Sequence, residues 1–564
     1  MSLTLTEPPA PRERPVHEAG PATTPSAGPG SRIGESAAVS GLDPARPRRD
    51  PAIDLVRFAC LIVVIVLHSM MSAAVLGPDG TVVPTVALSD TSGFAVASWF
   101  FQVMPLFFVI GGCAGIIAWR RTRARGGTWA DYLRARVRRL VVPVTVLIAL
   151  TGLGLSVASE LGVAAGLLAE ASRRIGQPLW FLAVYVGLTA LVPLAVHFHE
   201  RSPRRSLAVL AGAVIVVDGV VAATGVHGLG YLNFVLVWPL IQQLGFVYAD
   251  ALERPVRRLR TWVVLVTALL TVIGLVSAGV YSPNMLVNLN PPTGALVLLG
   301  AVQMCALRLV HARLNRMLTL NGGGGHDDDN AVSGGQSGTT IDEAAPGPRI
   351  LRAQIWRWVI DWGNRFGMQV YLWHMSVVIV LIGGLGALAQ TVSGIPAVWG
   401  LPGLVGFVLP DIGSGWWWAS RLPWLLVVMG LSALVAMLAE RIPFPSERGL
   451  AAAGRGIGRI ICEMRGNAGT AGVGTPRDAG LTPHVRAVTP EVRTLTPQVR
   501  AAIAVAAATA GIAIALLVGI APLIWTVLAL ALLMGSLVIA AGLGSRAARV
   551  PGATITPQRR PAGR

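Results

Sequence analysis

The sequence predicts an all-α polytopic membrane protein: a bundle of ten membrane-spanning helices followed by a C-terminal two-helix transmembrane hairpin. Three observations carry that expectation. Composition is far more apolar than that of a soluble domain, with 53% hydrophobic and 13% charged residues and a mean hydropathy of +0.62. The apolar residues fall in blocks of about 20, the length at which a helix crosses hydrocarbon. Arginines crowd alternate connections between the blocks, the asymmetry that orients membrane proteins.

Taken in order, the blocks place helices near Ala52–Val75, Phe94–Trp119, Leu140–Ser159, Leu179–Phe198, Ser206–Ala223 and Leu232–Tyr248. Four more follow near Trp262–Val280, Thr293–Leu309, Gly367–Gln390 and Leu422–Ala439. A final pair lies at Ala501–Val518 and Pro522–Leu543, with no charged residue between Ala501 and Ser545. Its small residues suit close helix contacts, either back onto the bundle or with a partner protein in the membrane.

Orientation is read from the loops. Arg120, Arg121, Arg123, Arg125, Arg134, Arg136, Arg138 and Arg139 fill one connection, and further arginines mark the loops near Arg201 and Arg254. The alternate connections at 78–91, 225–231 and 281–292 hold none, so the basic loops and both termini are expected in the cytoplasm. Arg173 and Arg174 dissent on an outer loop, where Glu160 and Glu170 share the segment. The net charge of +18 would suit nucleic acid, but the arginines sit between apolar blocks and not in a basic, aromatic-interleaved soluble domain, so no nucleic-acid partner is expected.

Other segments lie outside the spans. Residues 1–50 are rich in Pro, Ala, Gly and Arg and read as a disordered cytoplasmic arm. Within the 51–445 domain, residues 315–350 form a flexible cytoplasmic loop, whose Asp327-Asp328-Asp329 reads as solvated; no metal site is expected. Residues 446–500 read as a basic linker containing Thr482-Pro-His-Val-Arg, Thr489-Pro-Glu-Val-Arg and Thr496-Pro-Gln-Val-Arg, and 544–564 as a basic tail. The seven-residue period is not a coiled coil, because each copy carries a proline. Cys60, Cys113, Cys305 and Cys462 are too scattered to indicate a disulfide framework or a zinc site.

The first span contains Asp54, Arg57 and His68. Ionisable groups facing hydrocarbon are costly, so they persist where they face protein, a wet cavity or a ligand. Eleven residues return to within about 20° of the same helix face, about 16 Å along the axis, so Arg57 and His68 share a stripe. That arrangement suits a site with a cation at its mouth and a proton-handling group inside. The alternatives are an arginine that snorkels to headgroups and a histidine that only bonds a neighbouring helix.

Several motifs in order resemble the acyltransferase 3 family, membrane O-acyltransferases that acylate sugars and lipids of the cell envelope. Arg57 and His68 are spaced by ten residues as in that family's first span. Met104-Pro-Leu-Phe-Phe108 with Gly111-Gly112, Tyr132-Leu-Arg-Ala-Arg136-Val-Arg-Arg139 with Pro143, Leu179-Trp180-Phe-Leu182 and Tyr371-Leu-Trp-His374 follow in register over Pro51–Pro445. Gly111 stands where many members carry serine. The segments Tyr231–Gly245 and Asn290–Thr293 resemble an actinobacterial branch of the family.

This resemblance implies a ten-helix acyltransferase core in a bacterial plasma membrane, acyl-CoA as donor substrate with no bound cofactor, and an envelope glycan or glycolipid as acceptor. It implies that Arg136 and Arg139 bind the donor's phosphates, for which the guanidinium fork is suited. His68 would act as general base or as an acyl carrier, with His374 orienting it, orienting the acceptor or making a structural bond. Asp54, Trp180 and Tyr371 would support the site. Two other classes compete. A proton-coupled transporter or flippase of an envelope precursor would use Arg57, His68 and Asp218; the inverted repeats that would favour it are not evident in the sequence. A scaffold recruited through the Thr-Pro spacer would explain the tail but not the membrane charges.

Overall fold

The computed structural model describes residues 50–89, 91, 93–319, 348–393, 404–470 and 495–544. The 1–49 arm, most of the 315–350 loop with its Asp triplet, the first two Thr-Pro copies and the tail from 545 lie outside the described residues. Among the described residues, twelve helices are long and apolar enough to cross a membrane. The protein is thus an all-α polytopic membrane protein, with one small β-hairpin.

Helix α1 (Pro51–Met71) starts where Asp50 accepts hydrogen bonds from the Ala52 and Ile53 amides and Pro51 occupies the first turn. It ends four residues before the expected Val75, because the chain turns into β1 (Ser72–Leu76), paired antiparallel with β2 (Val82–Val86). The connecting turn closes with Gly80 donating to the Gly77 carbonyl, at a positive φ of 71° that glycine adopts without strain. The second apolar block is two helices, α2 (Phe94–Phe101) and α3 (Met104–Ala124), parted ahead of Pro105 in α3's first turn.

Helix α4 (Trp129–Glu160) starts well before the expected Leu140. Thr128 and Asp131 form a reciprocal capping box, so the arginine run Arg134–Arg139 is helical. Helix α5 (Ala165–Gly176) carries Arg173 and Arg174, both paired with Glu170, which offsets one of their two positive charges. Helices α6 (Leu179–Arg201), α7 (Pro203–Thr224), α8 (Val237–Glu253), α9 (Arg258–Ser277) and α10 (Gly294–Thr319) complete the first part of the bundle. Helices α3 and α8 approach so closely that a Cβ on Gly112 would lie 2.2 Å from the Gln242 carbonyl oxygen, and one on Gly245 2.1 Å from that of Val109. Only glycine permits this packing.

Helix α11 (Pro348–Ser393) runs 46 residues, about 69 Å if straight, and so outreaches a hydrocarbon core of about 30 Å. Beyond α12 (Leu404–Val408), α13 (Gly415–Glu440) packs on α11, and α11 packs on α1. Residues 447–470, expected as linker, form helix α14 (Glu447–Thr470), joined to α4 by the Arg134–Glu447 ion pair.

Helices α15 (Pro497–Leu517) and α16 (Leu523–Ala541) form the C-terminal hairpin. The proline of the third Thr-Pro copy does not interrupt α15 but starts it: Thr496 caps the Val499 amide and Pro497 takes the first position, where no donor is lost. Although the linker separates it in sequence, the hairpin packs against α4 and α6. Ser172 Oγ accepts the Ile520 amide at 2.7 Å, and Gly152 faces Thr526 with no room for a side chain. Of the two sequence-based alternatives for its small residues, this is the contact with the bundle.

Candidate active site

The stripe predicted on α1 is present, and α11 supplies its partners. At the Asp50 end, Arg57 Nη1 lies 3.1 Å from Asp54 Oδ1, while Asn364 Nδ2 of α11 donates to Asp54 Oδ2 at 3.0 Å. Asp54 is buried, so its two oxygens clamp α1 to α11 and hold Arg57 in place. Asn364 was not singled out from sequence; an amide in a polar stretch carries no signal until its partner is known.

Further along α1, His68 Nδ1 lies 2.8 Å from His374 Nε2 of α11. The ring centroids are 5.1 Å apart and the planes only 11° from parallel. That separation is close to the N···N distance plus the two ring radii, so the imidazoles meet edge to edge in one plane and are bonded, not stacked face to face. His374 is fully buried and its Nδ1 is bonded to the Tyr371 carbonyl oxygen, whereas His68 is partly exposed.

Donor and acceptor roles follow from the carbonyl. A carbonyl oxygen only accepts, so His374 Nδ1 carries a proton; in the neutral ring its Nε2 is then an acceptor. His68 Nδ1 must donate to it. The remaining nitrogen, His68 Nε2, is left as the unprotonated, basic one. Tyr371 holds the chain's origin: its hydroxyl donates to the Pro178 carbonyl at 2.9 Å, and its ring meets Phe181 edge-on at 5.6 Å. Trp180 packs on the same Phe181 and on Trp238, so Trp180 and Tyr371 belong to one aromatic wall. On the far side, Ser72 Oγ donates to the His68 carbonyl at 2.8 Å and Trp424 Nε1 to the Ser69 carbonyl at 3.1 Å.

The arginines of α4 divide. Arg134 and Arg138 engage Glu447 and the Pro445 carbonyl. Arg136 lies over the Tyr132 ring, 3.7 Å from its centroid, and Arg139, one turn on, is exposed. The structure links Asp54 with Arg57 at one end of the α1 stripe and His68 with His374, Tyr371 and Trp180 at the other, while Arg136 Nη1 donates to the Tyr132 carbonyl on its own helix at 3.0 Å. At Gly111 an added Cβ would meet the Tyr185 ring at 3.0 Å, so a serine there would require that ring to shift.

The remaining buried polar groups fasten helices. Asp218 accepts from Asn233, Tyr281 and the Gly294 amide at 2.7–2.8 Å, occupying both its oxygens, and burial with this carboxylate pushes the Tyr281 hydroxyl pKa up. These bonds fasten α7 to the 227–235 turn and to the 278–294 connection. His311 bridges the Tyr248 hydroxyl and Asp50. Burial acts to raise the Asp50 carboxyl, but the hydrogen bond and charge of His311, with the Ile53 amide and Asn315, outweigh it and hold the pKa below its ordinary value.

The imidazole pair thus lies, partly open and hydrogen-bonded, between the first and a late helix of a polytopic bundle. Residues 50–326 match the acyltransferase 3 family profile, described as an acyltransferase domain, and this match with the twelve candidate spans classes the protein as a membrane-embedded acyltransferase. No curated protein and no solved structure matches the chain. The matched segment contains Asp54, Arg57, His68, Arg136, Arg139 and Trp180 but stops short of Tyr371 and His374, which reach the site on α11.

Proposed function

We propose that the protein transfers an acyl group from cytoplasmic acyl-CoA to a hydroxyl of a cell-envelope carbohydrate or glycolipid, in a bacterial plasma membrane with the arginine-rich loops and both termini inside. His68 Nε2 takes the proton of the acceptor hydroxyl as its oxygen bonds to the thioester carbonyl carbon. The tetrahedral adduct then collapses, the carbon–sulfur bond breaks, and the proton passes from His68 to the departing thiolate, leaving free coenzyme A and an ester. His374 is a positioning residue that fixes the His68 tautomer, and Arg57 is held at the inner end of the same stripe. Arg136 and Arg139 bind donor phosphates at the cytoplasmic surface.

The observation that carries this reading is the chain Tyr371 carbonyl–His374–His68, which leaves Nε2 of His68 basic. It is the geometry general base catalysis requires, an imidazole with one nitrogen fixed by a hydrogen bond and the other presented to substrate. Mass spectrometry of envelope glycans and glycolipids from cells with and without the protein tests it: an O-acyl mass increment should disappear with the protein, and an unchanged acylation profile would refute it.

A further inference from the structure

Where α1 gives way to β1, α11 and α13 flank a small cleft of about 40 Å³ that opens to the surroundings. Its lining includes Ser72, Ala73, Leu385, Trp417, Arg421 and Trp424. Arg421 is half-buried six residues into α13, within an apolar span. Its Nε donates to the Trp417 carbonyl at 3.0 Å and its Nη2 to Ser420 Oγ at 3.1 Å. The guanidinium carbon lies 4.5 Å from the Trp417 ring centroid and 5.8 Å from that of Trp424. No described carboxylate forms an ion pair with it.

A cation at this depth is costly unless an anion or water meets it. Two indoles and two neutral oxygens fix its position and leave its charge uncompensated. The neighbours that would carry it to lipid point elsewhere: Trp418, Leu422 and Leu426 form the exposed face of α13, and Arg421 lines the cleft. Two residues of its wall are also bonded to the α1 backbone at His68 and Ser69. Trp424, which flanks the guanidinium, is the residue bonded to the Ser69 carbonyl, and Ser72 in the wall is bonded to the His68 carbonyl.

We propose that this cleft is the acceptor subsite and that Arg421 binds a phosphate carried by a membrane-soluble acceptor, setting that acceptor's hydroxyl toward His68. The inference rests on the acyl-transfer reading for the identity of the occupant. Phosphate is favoured because a planar guanidinium donates to it bidentately and because phosphate esters are the anions that a bilayer supplies at this depth. Neutral sugar alone would leave the charge unmet.

The test is equilibrium binding to the full chain in nanodiscs of uncharged phosphatidylcholine, with undecaprenyl phosphate as probe and undecaprenol and phosphatidylglycerol as comparators. Undecaprenyl phosphate should bind, undecaprenol should bind at least ~10-fold more weakly, and Arg421→Gln should abolish the difference. Ala73→Phe, which fills the cleft and leaves the cation, should also lose binding and covers the case in which the Arg421 variant fails to fold. His68→Ala should bind as wild type does, so loss of transfer in that variant bears on the proposed reaction and not on this site. Equal, Arg421-dependent binding of phosphatidylglycerol would make the cleft a headgroup seat and overturn the proposal, as would phosphate-probe binding that survives Arg421→Gln.

Discussion

Replacing His374 separates a positioning role from a packing role. In His374→Phe the ring volume remains but the acceptor for the His68 Nδ1 proton, 2.8 Å away, is lost. A buried donor left without its partner costs about 1–3 kcal/mol, and that penalty falls only on the His68 tautomer with a basic Nε2. At about 1.4 kcal/mol per factor of ten, the reactive tautomer drops roughly 5- to 150-fold, and kcat with it. His374→Gln restores a carbonyl acceptor at the same position and should recover much of the loss. The assay is transfer of labelled acyl groups from acyl-CoA into membranes containing the acceptor, with purified protein of verified thermal stability. Donor KM should be unchanged in both variants, since His374 is fully buried and touches His68 alone among the proposed catalytic groups. A Phe variant with wild-type kcat, or a Gln variant as poor as Phe, would refute the tautomer argument.

Four other outcomes follow. Arg136→Ala with Arg139→Ala should raise donor KM more than it lowers kcat, and an unchanged KM would return both arginines to a role in topology. A Cβ on Gly152 would sit 2.5 Å from Thr526 Cγ2, and Thr526 Oγ1 is itself bonded to the Ile520 carbonyl; Gly152→Val should therefore cost about 1–3 kcal/mol in thermal unfolding, with Gly154→Val, which meets nothing within 4 Å, as the neutral control. Truncation after Gly474 should lower stability in the same way but leave turnover per folded molecule intact, because the hairpin brings no charged group. Asp50 has a lowered folded pKa, so its contribution is fully present above the unfolded value of about 4 and is lost as pH falls through the folded one. The stability gap between wild type and Asp50→Asn, which keeps a capping side chain, should accordingly close as pH falls below about 4.

The spans were legible because hydrocarbon thickness sets block length, and His68 and Arg57 because an ionisable group in such a block demands a reason. Arg421 escaped notice because it lies one residue outside the Leu422–Ala439 block, whereas helix α13 begins at Gly415 and includes it. The β-hairpin was signalled by Gly77-Pro-Asp-Gly80 ahead of the β-branched run Thr81-Val82-Val83, but the Ala-rich segment before the turn carries no strand signal. Helix α14 escaped notice because Gly449, Gly454, Gly456 and Gly458 argue against a helix, whereas its contact with α16 and Arg134 supports one. The His374 tautomer lay beyond sequence altogether, since it depends on a backbone carbonyl three residues away and on the register between α1 and α11.

The central claim is that His68 performs the proton transfer. Purified wild type and His68→Ala, each verified as folded by thermal unfolding, are to be compared for acyl transfer from labelled acyl-CoA to membranes carrying the acceptor. The account predicts a loss of at least about 10²-fold in kcat for the variant, with donor binding retained. Transfer at the wild-type rate by His68→Ala would contradict it.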